Sequence, residues 1–215
     1  MPKKADLKAR KIAAFQEVVT AMKRYDGTSD LNYLIRRWVA KMTAVEIHGA
    51  WERYAESRLV VALNHNPKHL ISEQSMVAVS AIPTGLARYI VRGGKNFFDF
   101  RSMSDLIKKA DTLLGKGENP FRIVNVVDRS YIDCLAAIRN HVVHGSETSL
   151  RTYKQNLRSV YGIKAAPEPT EFLHAMDYRR DKPLRLSKDF QRDPFQYRSR
   201  LSGLAVVVIR TIATT

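Results

Sequence analysis

The segment DRSYIDCLAAIRNHVVH, residues 128 to 144, decides the fold class. When it is plotted at about 100° per residue, its apolar side chains and the preceding valine collect on one stripe. The stripe consists of Val127, Tyr131, Cys134, Leu135, Ile138 and Val142. This pattern predicts an amphipathic helix that packs the stripe against a core, with Cys134 as a small buried apolar residue.

The opposite side of this predicted helix has an unusual composition for a solvated face. It carries Asp133, Ala136, Ala137, Asn140, Val143 and His144. We expect another helix to come close there, from this chain or from a second copy. Asn140 and His144 are four residues apart and lie one turn above each other. Arg139 lies about 140° from His144 on an ideal helix, so it must reach round, or the helix must end near Gly145.

The rest of the chain repeats helical spacing between breaker residues. Ser29 or Asp30 is the expected N-cap of the second helix, and Ser104 that of a later one. Residues 76–82 fit either a short strand or a buried helix. The predicted helices cover residues 5–25, 29–64, 83–91, 104–114, 128–144, 149–161 and 195–213. We therefore expect one all-α domain over residues 1–215, a helical bundle with an irregular basic insertion at 163–192 before the closing helix.

The charge of the chain favours an anionic partner. Lysine and arginine outnumber aspartate and glutamate by 36 to 21, for a formal charge of +15. RNA, DNA or an acidic protein would suit this excess, and a solvated basic surface is the alternative. One cluster lies near the start of the chain at Lys3, Lys4, Lys8, Arg10 and Lys11. Another consists of Arg179, Arg180, Lys182, Arg185 and Lys188, which we interpret as a candidate RNA-binding segment.

Several classes of protein and site are disfavoured by the sequence. The single cysteine, Cys134, allows neither an intramolecular disulfide nor a cysteine-based zinc site. No signal peptide is evident, and the longest apolar run, residues 204–209, is too short to cross a bilayer. His65 and His69 have Pro67 between them, which disfavours a helical metal pair. We expect a cytoplasmic protein with no membrane association, metal or cofactor.

The residue types at 139–144 suit metal-free RNA cleavage. A neutral imidazole such as that of His144 can accept the proton of a ribose 2′-hydroxyl. The guanidinium of Arg139 can grip the scissile phosphate and offset charge in the transition state. The amide of Asn140 can orient the imidazole or bind a phosphate oxygen. Attack by the 2′-hydroxyl would leave a 2′,3′-cyclic phosphate and would spare DNA.

Residues 139–144 resemble the motif of the HEPN superfamily, an arginine followed four to six residues later by histidine, often written Arg-Asn-x-x-x-His. The loose form is expected about twice by chance in a chain of this composition, and Arg58 with His65 is such a match. The Asn after Arg139 and the helix-terminal position add specificity. The pattern Trp51-Glu52-Arg53-Tyr54 also resembles the RiboL-PSP-like HEPN branch. The likeness covers about residues 30–150.

Membership of that superfamily would imply a helical bundle, usually dimeric, with two motifs facing each other across a cleft. Many members are ribonucleases of toxin–antitoxin or antiviral systems, while others only bind. One toxin branch has tyrosine two residues after the histidine, where this chain has Ser146. We thus expect a metal-independent endoribonuclease that dimerises through the motif face and has an antitoxin or other partner protein. The alternatives are a non-catalytic module that binds RNA or protein, and a helical adaptor.

Three further residues are candidate supports for the site. Glu52 could hydrogen-bond Arg139 across the bundle, or be an ordinary surface carboxylate. Asp133 shares a face with His144 and is a candidate for orienting its imidazole. His141 lies at the edge of the core stripe, which favours packing over catalysis.

Overall fold

A computed structural model describes residues 4–73, 80–175 and 199–215, and within these ranges it contains nine helices and no strand. The helices are α1 (Lys4–Asp26), α2 (Tyr33–His65), α3 (Lys68–Glu73), α4 (Thr84–Arg92), α5 (Met103–Leu114), α6 (Val126–His144), α7 (Glu147–Tyr161), α8 (Pro169–His174) and α9 (Arg200–Thr214). The predicted all-α class is confirmed.

Helices α1 and α2 run antiparallel, as two ion pairs between them demonstrate. Glu17 of α1 meets Arg53 of α2 at 2.6 Å, and Arg24 meets Glu46 at 2.9 Å, so the sequence numbers rise in one helix as they fall in the other. These pairs are exposed and contribute little to stability. The hairpin is instead held by buried side chains such as Val18, Met22, Ile47 and Trp51. Helices α4, α5, α6, α8 and α9 pack against this hairpin.

Helix α9 is the buried centre of the bundle. Its residues from Leu201 to Ile209 are all buried, as expected of a helix that is apolar on every side. It contacts α1, α2, α6 and α8. Arg210, near its end, donates two hydrogen bonds to the buried carboxylate of Asp128 in the first turn of α6. This pair fixes where α6 begins.

Some predicted boundaries are wrong because a neighbouring residue provides the cap. Asn32, and neither Ser29 nor Asp30, accepts a hydrogen bond at the start of α2. Ser102, rather than Ser104, caps α5. The sequence predicts that Val127 belongs to the core stripe. In the structure Val127 is 62% exposed because it lies in the first turn of α6.

The predicted irregular segment at 163–192 contains a helix within its described part. Glu168 caps α8 by accepting a hydrogen bond from the Thr170 amide, and Pro169 occupies the first turn. Proline suits that position because the first amides of a helix have no partner inside it. Residues 74–79 and 176–198 lie outside the described part of the chain, so the prediction of a strand or buried helix at 76–82 falls outside it for residues 76–79. In the described ranges no helix has the length and apolarity needed to span a membrane.

Candidate functional site

The motif lies in the last two turns of α6, which ends in a tight left-handed turn. Gly145 has φ 59° and ψ 9°, and its amide donates to the carbonyl of His141. This conformation is strained for residues that carry a Cβ, which accounts for glycine here. The next residue, Ser146, is the N-cap of α7. His144 is therefore the last helical residue and projects at an exposed corner between two helices.

Arg139 and Asn140 form a direct pair. Nη1 of Arg139 donates to Oδ1 of Asn140 over 2.8 Å, and both residues are half-buried. The guanidinium thus contacts Asn140, which lies one turn before His144 on the same face of α6. His144 itself is exposed and makes no hydrogen bond or ion pair with any described residue.

Glu52 lies on α2, which packs against α6, and the charge of Arg139 acts on it, but no hydrogen bond or ion pair joins the two described side chains. Partial burial raises the pKa of this carboxyl, but the imidazole of His48 and the positive charge of Arg139 lower it by more, and the net shift is downward. Glu52 is therefore an anion at neutral pH.

Asp133 does not orient His144. The two residues are three turns apart on one helix, about 16 Å along its axis, which no aspartate side chain spans. The Asp133 carboxylate instead accepts the Met103 amide at the start of α5 over 2.7 Å. Burial raises the pKa of Asp133, opposed by that hydrogen bond and by the charge of His48. The imidazole whose charge acts on Asp133 is thus that of His48 on α2.

His141 packs between α6 and α7. Its ring stacks on Tyr153 with centroids 5.4 Å apart and planes 15° from parallel, and Nδ1 lies 3.4 Å from the hydroxyl of Ser149. These contacts direct it away from Asn140 and His144. Its place in the fold is that of a packing residue at the α6–α7 hairpin.

The face of α6 opposite the core stripe has a buried part and an exposed part. Ala137 is buried within the chain, so the expected close approach of another helix is met there by the protein itself. Val143, one turn and a half further on, is 50% exposed beside His144. A dimer contact through this face therefore has only the end of α6 available.

His48 is a residue of the site that sequence reasoning missed. It is buried in α2 at 4% exposure, and its Nδ1 lies 3.5 Å from Oε2 of Glu52. The spacing of four residues between His48 and Glu52 was the available signal, since such residues share a helix face. It was not decisive because periodicity alone does not reveal which face of α2 meets α6.

The other candidate residues named from the sequence lie away from the end of α6. Burial raises the pKa of the Cys134 thiol to about 12, which makes it a poor nucleophile. His65 ends α2, and His69 lies on the separate α3, as the intervening proline predicts. Arg58 donates to the carbonyl of Thr215 and serves packing. Within the described ranges no group of three or more histidine, cysteine or acidic residues is arranged to hold a metal ion. The candidate RNA-binding residues are outside the described part: Arg179, Arg180, Lys182, Arg185 and Lys188.

Comparison with known proteins leaves the likeness described above without independent support. No protein-family model matches the chain, and neither a curated protein nor a solved structure matches it.

Proposed function

We propose that the chain is a metal-independent endoribonuclease of the HEPN type. The observation that carries the proposal is the Arg139–Asn140 hydrogen bond of 2.8 Å, placed one turn before an exposed His144 at the end of α6. Arginine, amide and imidazole thereby come to one end of one helix. The formal charge of +15 is consistent with an RNA substrate.

Each residue has a distinct role in this reaction. His144, as a neutral imidazole, takes the proton of the 2′-hydroxyl. The 2′-oxygen then attacks the adjacent phosphorus to form the 2′,3′-cyclic phosphate, the bond from phosphorus to the 5′-oxygen breaks, and the 5′-oxygen takes a proton from water and leaves as a hydroxyl. Arg139 binds the non-bridging phosphate oxygens and offsets the charge that develops on them. Asn140 accepts a hydrogen bond from the guanidinium through Oδ1 and offers both of its amide hydrogens to the phosphate or to the leaving strand.

The proposal includes a second copy of the chain. Val143 and His144 are the exposed part of the motif face, and a two-fold contact there would bring two motifs together. The paired imidazoles and guanidiniums would then line one cleft. The family likeness adds the expectation that the protein is the effector of a prokaryotic toxin–antitoxin or antiviral system and has a neutralising partner protein.

The test is cleavage of RNA in the presence of EDTA. We expect the wild-type protein to give products that end in a 2′,3′-cyclic phosphate, and a substrate with 2′-deoxyribose at the scissile position to resist. His144→Ala should reduce the rate by about 10² to 10⁴-fold, and Arg139→Ala by about 10² to 10³-fold. The matched control is His65→Ala, since His65 is also exposed at a helix end and belongs to the chance match.

Two results would refute the endoribonuclease proposal. Cleavage that requires a divalent metal is one, and cleavage that survives His144→Ala is the other. Salt-dependent RNA binding without any cleavage would instead identify a non-catalytic binding module.

A further inference from the structure

Two aromatic rings are exposed in one region of the surface, where α4 ends and the chain leads to α5. Tyr89 is 62% exposed and Phe97 is 61% exposed. The phenol end of Tyr89 lies beside Gly94, since a Cβ built at Gly94 would come 3.3 Å from the Tyr89 hydroxyl. Gly94 is three residues before Phe97, so both rings belong to this region. Together they leave aromatic area in water that a ligand could cover.

The chain is fixed on both sides of Phe97. Arg92 donates to the carbonyl of Asn96 over 2.7 Å and to the carboxylate of Glu56 on α2 over 2.8 Å. On the other side Phe98 turns inward and is part of the hydrophobic core. Phe97 is therefore held outward by its neighbours. A surface that is ordered before its ligand arrives loses little entropy on binding.

The two rings lie among positive charges. Nζ of Lys95 is 5.8 Å from the centroid of the Phe97 ring, within the range in which an ammonium is attracted to an aromatic face. Residues 84–109 carry two aspartates and six cations, which are Arg88, Arg92, Lys95, Arg101, Lys108 and Lys109. Glu56 and Asp133 contact this stretch from other helices and add two carboxylates. Six cations against four anions leave an excess of two positive charges, which favours an anionic ligand.

A comparison with the start of α2 indicates what kind of ligand fits. Tyr33 and Trp38 are exposed there to a similar degree, together with three aliphatic side chains, those of Leu31, Leu34 and Ile35. Such a continuous apolar surface is typical of contacts between proteins. Within residues 84–101 Leu86 is the only large exposed aliphatic residue. Aromatic rings that alternate with cations suit a single-stranded nucleic acid, whose bases stack on the rings while its phosphates contact the cations.

This region of the surface is joined directly to α6. Helix α5 begins at Met103, whose amide donates to Oδ1 of Asp133 over 2.7 Å. Asp133 is seven residues before Asn140, so the two residues share a face of α6 and are about 10 Å apart along its axis. From Met103, a bound strand has about two helical turns to cover before it reaches the motif.

We propose that the connection between α4 and α5 binds single-stranded RNA, with bases stacked on Tyr89 and Phe97 and phosphates on the neighbouring cations. We name this the α4–α5 surface, and it consists of Arg88, Tyr89, Lys95, Phe97 and Arg101. The inference rests on the proposed function for the choice of RNA, and it adds where the substrate is held. The surface supplies affinity, and its residues take no part in bond breaking.

The first experiment measures binding of a fluorescein-labelled 2′-O-methyl oligouridylate of about 12 nucleotides by fluorescence anisotropy in EDTA. This probe has no 2′-hydroxyl, so the proposed reaction cannot cleave it. Tyr89→Ala and Phe97→Ala should each raise Kd about 5- to 100-fold, as expected when one stacked base is lost. Tyr89→Phe and Phe97→Tyr keep a ring and should bind almost as tightly as the wild type. Far-UV circular dichroism checks that each variant is folded.

Matched controls separate this surface from general effects of ring and charge. Tyr33 is 59% exposed and has Cζ of Arg37 5.5 Å from its ring centroid, so Tyr33→Ala removes a similar ring elsewhere and should leave Kd unchanged. Lys95→Gln should weaken binding and reduce the slope of log K against log salt by about 0.7, the value for one phosphate contact on a single strand. Lys116→Gln removes the same charge at another exposed position and should leave that slope unchanged.

The second experiment uses RNA that can be cleaved. Tyr89→Ala should raise KM and leave kcat within about twofold of the wild type, because a surface remote from the reacting atoms binds the ground state and the transition state alike. A fall in kcat with an unchanged KM would contradict a role in binding alone.

The outcomes separate this inference from the proposed function. An unchanged Kd for Tyr89→Ala and Phe97→Ala, an equal loss for Tyr33→Ala, or no binding of the probe by the wild type would overturn the α4–α5 surface even if the protein cleaves RNA. A lower molar mass of the two alanine variants in light scattering, with unchanged affinity for the probe, would instead assign the rings to a contact between copies of the chain. Probe affinity that depends on both rings in a protein without cleavage would support the surface while the ribonuclease proposal fails.

Discussion

Replacement of Arg210 by methionine should destabilise the protein by about 3 kcal/mol. Arg210 donates from two nitrogens to Asp128, whose carboxylate is almost fully buried with a side-chain exposure of 4%. Removal of the arginine leaves a buried anion without its cation, which typically costs about 3–5 kcal/mol. The lower end applies because the Arg210 side chain is 31% exposed and the Asn125 amide still donates to Asp128 over 2.8 Å.

The same chain contains a matched control for this pair. Arg122 also contacts an aspartate through two nitrogens, with Asp111 at 2.8 and 2.6 Å, but its side chain is exposed on the surface. Solvent screens such a pair, so Arg122→Met should change stability much less. The comparison therefore isolates the effect of burial at nearly constant geometry.

Thermal unfolding and urea denaturation, both followed by circular dichroism, measure the difference. A loss of 3 kcal/mol corresponds to a fall in Tm of roughly 6–12 °C for a chain of this size. The combination of Arg210→Met with Asp128→Asn should restore at least half of the loss, because the unpaired charge is then removed. If Arg210→Met and Arg122→Met are equally mild, the assignment of this pair as the anchor of α6 on α9 is refuted.

Three other predictions concern α6 itself. Because burial raises the pKa of Cys134 to about 12, only about one thiol in ten thousand is ionised at pH 8. Iodoacetamide should therefore label Cys134 readily in the unfolded chain and hardly at all in the native chain. Fast labelling of the native chain would contradict the burial of Cys134. Gly145→Ala should cost about 1–2 kcal/mol in urea denaturation because φ is 59° there; an unchanged midpoint would mean that the turn relaxes freely. Val143→Asp should convert the proposed dimer to monomer in light scattering and abolish cleavage together with it, while a dimer that persists would exclude the end of α6 as the interface.

Much of the fold is predictable because helix formation is local. The apolar stripe of residues 128–144 places Cys134, Leu135 and Ile138 correctly in the core. The start of a helix is harder, since Ser29, Asp30 and Asn32 are all good N-caps and only the packed structure selects Asn32. Val127 shows the same limit, because its position on the stripe is correct while the core does not extend to that turn.

For the site too, contacts between neighbours in the chain are predictable from the sequence, whereas contacts between helices are not. Arg139 and Asn140 are neighbours in the chain, so their pairing follows from local geometry. The expected hydrogen bond from Glu52 to Arg139 is not formed, because it depends on the rotation at which α2 meets α6, which periodicity does not reveal. The charge of His48 acts on Asp133 only because α2 packs against α6, and the Met103 amide binds Asp133 only because α5 also meets α6. Sequence spacing placed Asp133 on the right face but ignored the rise along the helix, hence its mistaken assignment to His144.

The two principal residues of the motif differ in how firmly they are held, and this difference bears on the proposed mechanism. Arg139 donates a hydrogen bond to Asn140, so part of the entropy of its side chain is lost before any substrate binds. His144 is exposed at the end of α6, and no described residue restrains its ring by a hydrogen bond or ion pair. A general base acts efficiently only when it is held within hydrogen-bond reach of the proton that it removes. We propose that the restraint comes from RNA or from a second copy of the chain packed beside Val143. If it comes from the second copy, specific activity will fall on dilution through the dissociation constant of the dimer, and a tandem fusion of two chains will abolish that dependence.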